Sequence, residues 1–486
     1  MKIVDDIRRP VEKPDRLGLQ DGLILITLCS AQAMVGLDFS IVTVALPEIG
    51  RDLDFATTSD LQWVMTACVL PTASLLLLFG RVADMVGRRR LFVAGLAVLT
   101  VCCLLAGLAT APWTLIAARA GQGVGAAMVG PTALALLTSS FPEGPRRTRA
   151  LGVSGALLSL GFVLGTIGGG LITSGLNWRW TMLILFAIGA VSLVGAVTLP
   201  PTAEDRGASR LDVPGAVLIT MGLLALVYGF STGGANGWTS ARTVTALGVG
   251  AVLIAVFLPV ERRRRVPLIE PSLLKRRTVA WAGLTGFVTF GMCGGTTMLL
   301  SLYMQDVLAY SPLAAGFGFV AEGAAAIVAG VLAPRLIRKV GAVNALIAGL
   351  VVQGTGTAAM VPLPLGGGLG LLLLTSGCLG FGHVIAVVSF IDTMTSGLRG
   401  DEQGVAGGLA QTAQFLGTTV GVAALAAVIS TRTRGPARSD VLDALHDGMA
   451  VGALITFMGA LVALVMLRGT ARTDRQALPG GRRRST

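Results

Sequence analysis

Fourteen long apolar runs leave this sequence few folds to choose from. They cover approximately residues 21–47, 60–79, 91–109, 113–138, 150–173, 178–199, 213–231, 242–260, 279–303, 313–333, 342–361, 369–391, 404–430 and 448–467. Each is long enough to cross the roughly 30 Å hydrocarbon layer of a bilayer as a helix. Lipid offers the backbone no hydrogen-bond partner, so each run must pair its own amides, which favours helices throughout. Charged residues make up 13% of the chain, against about a quarter in a soluble protein. An all-α polytopic membrane protein with fourteen transmembrane helices is therefore expected.

The cations set the orientation. With the first tail inside, 31 of the 38 lysines and arginines fall in the inner segments. Six lie in the outer loops (Arg51, Arg179, Arg242, Arg432, Arg434 and Arg438), and one, Arg119, lies inside a run. Cytoplasmic loops carry the excess of Lys and Arg, so both termini are expected in the cytoplasm and the protein in the cell membrane. Residues 1–20 are polar, so the first run is expected to act as the membrane address without a cleaved leader. The inner segment 261–277, ERRRRVPLIEPSLLKRR, holds seven of the cations. It reads as a contact for anionic lipid or as a plain stop-transfer anchor.

Several function classes are disfavoured. The net charge of +12 is spread over turns, with no aromatic and basic array of the kind that stacks bases, so no nucleic acid is expected. The six cysteines lie in apolar runs without a CxxC pair, which predicts neither a disulfide framework nor a metal site. No GxxxxGK phosphate loop is present, which argues against an ATP-driven pump. No enzyme activity and no cofactor are expected.

Between the second and third runs stands Gly80–Arg90, GRVADMVGRRR, a short basic turn with Gly80, Asp84, Gly87, Arg88 and Arg89 at fixed spacing. The turn between the tenth and eleventh runs, Pro334 to Gly341 (PRLIRKVG), keeps the seven-residue spacing of Gly80 to Gly87. The repeat predicts blocks of six, two and six helices. The corresponding boundaries are a tail 1–20, a first half 21–199, an inserted pair 200–260, a basic loop 261–278, a second half 279–467 and a tail 468–486.

Charges inside the runs carry the candidate chemistry, because an ionised side chain at mid-bilayer costs about 2.5–3.5 kcal/mol on insertion scales. Asp38, in LDFSIVTVALPEI, can hold or release a proton there, or serve as a structural salt bridge. Arg119 opens RAGQGVGAAMVGPTALALL and cannot lose its proton. It must face the bundle interior, water or an acid, unless it snorkels to the outer surface. Gln122 can donate and accept hydrogen bonds in the same layer. Glu322 is either a functional acid within the tenth run or one hydrated near the outer interface. His383, in FGHVIA, reads as a packing histidine more readily than as a relay. Gly161, Gly165 and Gly169 repeat every four residues, a spacing that lets another helix backbone approach closely.

These stretches together resemble the major facilitator superfamily, in its fourteen-helix drug:proton antiporter branch. Gly80–Arg90 resembles the signature loop between helices 2 and 3, with Met85 where the family has Arg or Lys. Leu37–Ile49 resembles the branch's helix 1 signature, with Thr43 in place of Asn. The Arg119 stretch resembles the helix 4 signature, and GFVLGTIGGG resembles the antiporter signature of helix 5, with Thr166 in place of Pro. Ser311–Phe319 resembles the start of helix 10, where Glu322 is a departure, and 403–428 resembles helix 13.

The resemblance implies the major facilitator fold, two six-helix halves plus two inserted helices. It implies a monomeric, proton-coupled efflux transporter that exports small lipophilic compounds, drugs or antibiotics, by alternating access. Asp38, Arg119 and Glu322 would then couple protons, and Asp38, Gln122, Glu322 and His383 would meet substrate. Gly80, Asp84, Gly87, Arg88 and Arg89 would gate the inner side, through charge pairs across helices 2, 4, 5 and 13. The rival readings are an importer or uniporter of a small organic solute on the same fold, and a non-transporting membrane receptor or lipid-binding protein.

Overall fold

The computed structural model describes residues 19–55, 58–141, 145–199, 213–263, 273, 275–398, 402–433 and 437–467. Among these there is no strand. Fourteen helices of 17 residues or more follow one another: α1 Leu19–Asp52, α2 Thr58–Val86, α3 Arg88–Gly107, α4 Pro112–Ser140, α5 Pro145–Gly175, α6 Trp178–Thr198, α7 Val213–Asn236, α8 Ala241–Arg262, α9 Arg277–Leu302, α10 Val320–Val340, α11 Ala342–Ala358, α12 Leu369–Thr395, α13 Gln403–Arg432 and α14 Arg438–Val462. Eleven of the described helical segments are long and apolar enough to cross a membrane. Pro214–Phe230 and Ala342–Ala358 are shorter apolar helices. Both tails, the loop 202–210 and most of the basic loop after α8 lie outside the described residues.

Helices α2 and α4 persist through their own breakers, with threonine hydroxyl bonds next to each proline. Pro71 and Pro131 stand inside α2 and α4 and have no N–H to give. Each is followed by a threonine that bonds back. Thr72 Oγ1 donates to the Cys68 carbonyl at 2.7 Å and reaches the Gly123 carbonyl of α4 at 3.1 Å, and Thr132 Oγ1 donates to the Met128 carbonyl at 2.5 Å. In lipid such side-chain bonds make proline tolerable within a spanning helix.

Four boundaries differ from those expected. Gly80–Arg90 is not a loop: α2 continues to Val86 and α3 begins at Arg88, so the turn is Gly87 alone. The tenth run is broken at Phe319, between a short helix Pro312–Gly318 and α10, which runs on to Val340. At its C-terminal end α9 passes into a π-helical turn, Tyr303–Val307. The outer loop expected over 432–447 is shorter, because α14 begins at Arg438 and its first turns are polar.

The halves repeat in packing. Helix α1 packs on α5 and α6, α2 on α4, and α3 on α4 and α6. Likewise α9 packs on α13 and α14, α10 on α12, and α11 on α12 and α14. The two sets meet through α5 against α10 and α12, and through α13 against α2 and α4. Helix α7 lies against α2 and α13 at the rim of that seam, and α8 lies against α7.

The repeat holds at the level of single backbone contacts. Gly87 and Gly341 form one-residue turns at φ 103° and 86°, a region open to glycine and strained for other residues. Shifts of 254 to 257 residues relate further contacts of the two halves. Gly161 and Gly165 of α5 face the carbonyls of Ala33 and Leu37 on α1, and Gly417 and Gly421 of α13 face those of Phe287 and Gly291 on α9. Gly95 of α3 faces the Gly125 carbonyl, and Gly349 of α11 faces the Gly382 carbonyl. Gly169 adds Ile41 to the α1–α5 seam. Small residues at four-residue spacing let these backbones touch.

Candidate functional site

The densest polar network lies inside the first half, nearer the end of the bundle opposite the Gly87 turn. Arg119 on α4 is 1% exposed and Asp38 on α1 is 4% exposed. A single guanidinium nitrogen, Nη1, donates to both carboxylate oxygens of Asp38, at 2.6 and 2.7 Å. The same nitrogen reaches Gln122 Oε1 at 2.7 Å, and Nε donates to the Val64 carbonyl on α2 at 2.9 Å. Gln122 Nε2 donates in turn to Cys103 Sγ on α3 at 3.1 Å, and Cys68 Sγ on α2 donates to Asp38 Oδ2 at 3.7 Å.

Local sequence explains the enclosure. Arg119 is flanked by Ala118, Ala120, Gly121 and Gly123, and Gly121 and Gly123 sit against Cys102 of α3 and Cys68 of α2. Bulkier residues there would hold α2 and α3 away and open the arginine to lipid. Snorkelling of Arg119 to the outer surface is therefore excluded. The structure brings Asp38, Arg119 and Gln122 together, all within one half. A buried ion pair of this kind gains little net stability over an apolar replacement, yet losing one partner costs about 3–5 kcal/mol. It acts as a lock on α1, α2 and α4.

Glu322 and His383 lie elsewhere, in the second half. Glu322 is half-buried in the first turn of α10, with Oε2 sealed from solvent and without a hydrogen-bond partner among the described residues. It is the ninth of the 27 residues of the Ala314–Val340 span. Thr297 and Cys293 of α9 lie nearby. His383 on α12 stacks edge-on to Phe290 at 5.0 Å, and its Nδ1 lies 3.5 Å from Thr289 Oγ1. Thr289 Oγ1 donates to Gln353 Oε1 at 2.5 Å, and Gln353 Nε2 returns a bond to the Thr289 carbonyl at 2.9 Å. Thr289 and Gln353 escaped the sequence reading, although Gln353 is an amide in an apolar run.

At the end that carries the Gly87 turn, the observed charge pair is local. Arg88 Nη2 lies 3.0 Å from Asp84 Oδ1 across one helical turn, and Arg89 donates to the Val197 carbonyl at the end of α6 at 2.5 Å. Arg89 thus binds α6, a helix outside the expected set of 2, 4, 5 and 13. Gly80 is next to Gly408 of α13, in the seam between the halves. At the opposite end a clamp that the sequence reading missed joins α1 to α6. Asp52 accepts from the Trp178 indole at 2.9 Å and from Arg179 at 2.5 Å, and Arg179 also reaches the Ala109 carbonyl at 3.1 Å. These two bonds hold the Asp52 carboxyl below its ordinary range. The Asn-Trp-Arg sequence at the start of a span was the available signal.

Fold and motifs together define a polytopic transporter rather than an enzyme. The family model of the Major Facilitator Superfamily matches residues 28–422, and the chain belongs to that family. It is 39% identical over 449 residues to the cephamycin export protein CmcT of Amycolatopsis lactamdurans, covering 90% of this chain and 91% of that protein. It is 35% identical over 414 residues to the puromycin resistance protein pur8 of Streptomyces alboniger, covering 84% and 82%. The human organic anion transporter MFSD10 shares the fold, with a TM-score of 0.67 at 16% identity over 92% of this chain and 100% of that one.

Proposed function

We propose that this chain is a proton-driven exporter of small lipophilic compounds of the antibiotic type, working as a monomer in the cell membrane. All fourteen helices cross the bilayer with both termini in the cytoplasm. Residues 21–199 and 279–467 are the two moving halves, with the pair in 200–260 inserted between them and 261–278 as the cytoplasmic connection. Relatives that are named for antibiotic export and resistance, matching over most of their length, support export over uptake.

The observation that carries the coupling is the sealed Asp38–Arg119 pair. Protonating Asp38 leaves Arg119 buried against neutral acceptors only, the Val64 carbonyl and Gln122 Oε1. That state is costly in the present packing, so proton uptake by Asp38 favours a rearranged first half. Gln122 positions the guanidinium, and Asp84, Gly87, Arg88 and Arg89 fix the inner ends of α2 and α3. The driving force is the proton gradient and the membrane potential, about 2.3 kcal/mol per charge per 100 mV.

The test is a drug panel in an efflux-deficient host, combined with transport into everted vesicles under an imposed pH gradient. Asp38→Asn should abolish uphill export and leave downhill exchange of substrate. Uphill export by a folded Asp38→Asn variant at the wild-type rate would overturn the coupling role. A panel with no change in susceptibility for the wild type would overturn export itself.

A further inference from the structure

Helix α8 packs against α7 and turns most of its remaining surface outward. Of its most apolar stretch 18% is buried, the smallest share among the described spans. That outward surface is not an even cylinder. Val252, Ala255, Val256, Pro259, Val260 and Arg263 line an open groove of about 460 Å³. Steps of three and four residues put them on one face of the helix, and Ala255 is the smallest side chain among them. The lining is apolar up to its last residue, where Arg263 stands exposed beside an exposed Arg262. Glu261, the acid before them, is 4% exposed, so the charge presented at this end of the groove is positive.

The length of the helix sets the depth of the groove. The 22 residues of α8 rise about 33 Å, close to the roughly 30 Å of hydrocarbon, so the helix crosses the layer with Arg262 at its edge. From Val252 to Arg263 the rise is about 16 Å. The groove thus begins near the bilayer midplane and ends at headgroup level, the reach of one leaflet. An acyl chain fits that extent, and the phosphate of its headgroup then meets the arginines. A second copy of the chain suits the groove poorly. Docked about a two-fold axis along the membrane normal, it would bring its own Arg262 and Arg263 to the same depth, against like charge.

We propose that this groove binds one anionic phospholipid of the cytoplasmic leaflet, with an acyl chain along Val252 to Val260 and the headgroup phosphate on Arg262 and Arg263. Basic residues just beyond a spanning helix attract anionic headgroups. The basic segment by itself left a lipid contact and a plain anchor open; an anchor needs the cations but has no use for a groove that leads to them. The choice of leaflet rests on the orientation proposed above, and the site itself does not.

The experiment titrates the full-length protein in detergent with dioleoylphosphatidylglycerol or dioleoylphosphatidylcholine and counts bound lipid by native mass spectrometry. Wild-type protein should take up one phosphatidylglycerol about thirtyfold more tightly than phosphatidylcholine, as two juxtamembrane arginines at about fivefold each imply. The double variant Arg262→Gln, Arg263→Gln should lose that preference. Ala255→Phe fills the groove and keeps the charge, so it should weaken both lipids by a similar factor. Arg242→Gln, which removes an exposed cation at the other end of the same helix, should behave as wild type. Glycerol phosphate, which offers the phosphate without the chains, should not displace the lipid. Equal uptake of the two lipids, uptake unchanged in the double variant or in Ala255→Phe, displacement by glycerol phosphate, or a dimer in place of the lipid adduct would each overturn the proposal. Detergent removes sidedness and the assay involves no transport, so an error in the orientation or in the export reading leaves this result intact, and the reverse holds as well.

Discussion

Replacing Gly330 with alanine tests whether the two halves are held together by bare backbone at the end that carries the Gly87 and Gly341 turns. A Cβ on Gly330 would stand 2.5 Å from the Gly152 carbonyl oxygen and 2.6 Å from Ala156 Cβ. Carbon contacts settle near 3.5–4.0 Å, so α5 and α10 must part by roughly 1 Å. Neither obstacle is the end of a flexible side chain, so no rotamer relieves the clash. Overpacking of this kind costs about 1–3 kcal/mol. That cost falls on the conformation with this seam closed and is relieved where the seam opens. The population should therefore move toward the inward-open state by about 5–150-fold. Val388 of α12 lies against Gly155, one turn beyond Gly152. A single cysteine placed there, in a background without the six native ones, reports opening through alkylation from the cytoplasmic side of everted vesicles. Gly330→Ala should raise its labelling rate by that factor without loss of folded protein. An unchanged labelling rate would mean that α5 and α10 do not form the closing seam.

Three further outcomes follow. Arg119→Leu leaves Asp38 enclosed without a cation and should destabilise the detergent-solubilised protein by about 3–5 kcal/mol; adding Asp38→Leu should recover part of that loss, and a double variant less stable than either single one contradicts the pairing. Asp52 is held below the ordinary carboxylate range by Trp178 first and Arg179 second, so its contribution is present above about pH 4 and is lost as the pH falls through its lowered value. The difference in thermal stability between wild type and Asp52→Asn should be small for so exposed a pair, flat from neutral pH to about 5, and gone in stronger acid; a gap that widens in acid contradicts the clamp. Gly87→Ala and Gly341→Ala should each cost about 1–2 kcal/mol, because both turns sit at positive φ; a neutral result at either would show that the turn relaxes into a conformation open to alanine.

Hydropathy made the helices legible, because in lipid length and apolarity alone dictate the element. It failed where a helix leaves the hydrocarbon layer. The first turns of α14, RSDVLDALHDG, are polar and looked like a loop, and the Gly80–Val86 end of α2 carries an arginine and an aspartate. Water-exposed helix ends of this kind follow helix propensity and caps, which a hydropathy scan does not weigh. The break at Phe319 and the π-helical turn after α9 had no signal in apolar periodicity. Of the site, Asp38, Arg119 and Gln122 were legible as residues, since charge in an apolar run is conspicuous. Their mutual geometry was not, because 81 positions separate Asp38 from Arg119. Sulfur and backbone partners such as Cys68, Cys103 and the Val64 carbonyl carry no mark of their role in a sequence.

The two halves solve one packing problem in the same way and the charge problem in different ways, and the difference suits a two-step cycle. In the first half the acid is compensated by an arginine within the same bundle, through contacts from α1, α2 and α4, so a change in its protonation is felt as a change in helix packing. In the second half the acid, Glu322, stands on α10 and makes no ion pair among the described residues. The seams between α5 and α10 and between α2 and α13 join the two halves, and α7 lies against α2 and α13 at the edge of the second. The inserted pair thus flanks one seam and leaves its counterpart uncovered, which makes the α2–α13 side the stiffer of the two and the α5–α10 side the one that parts more readily.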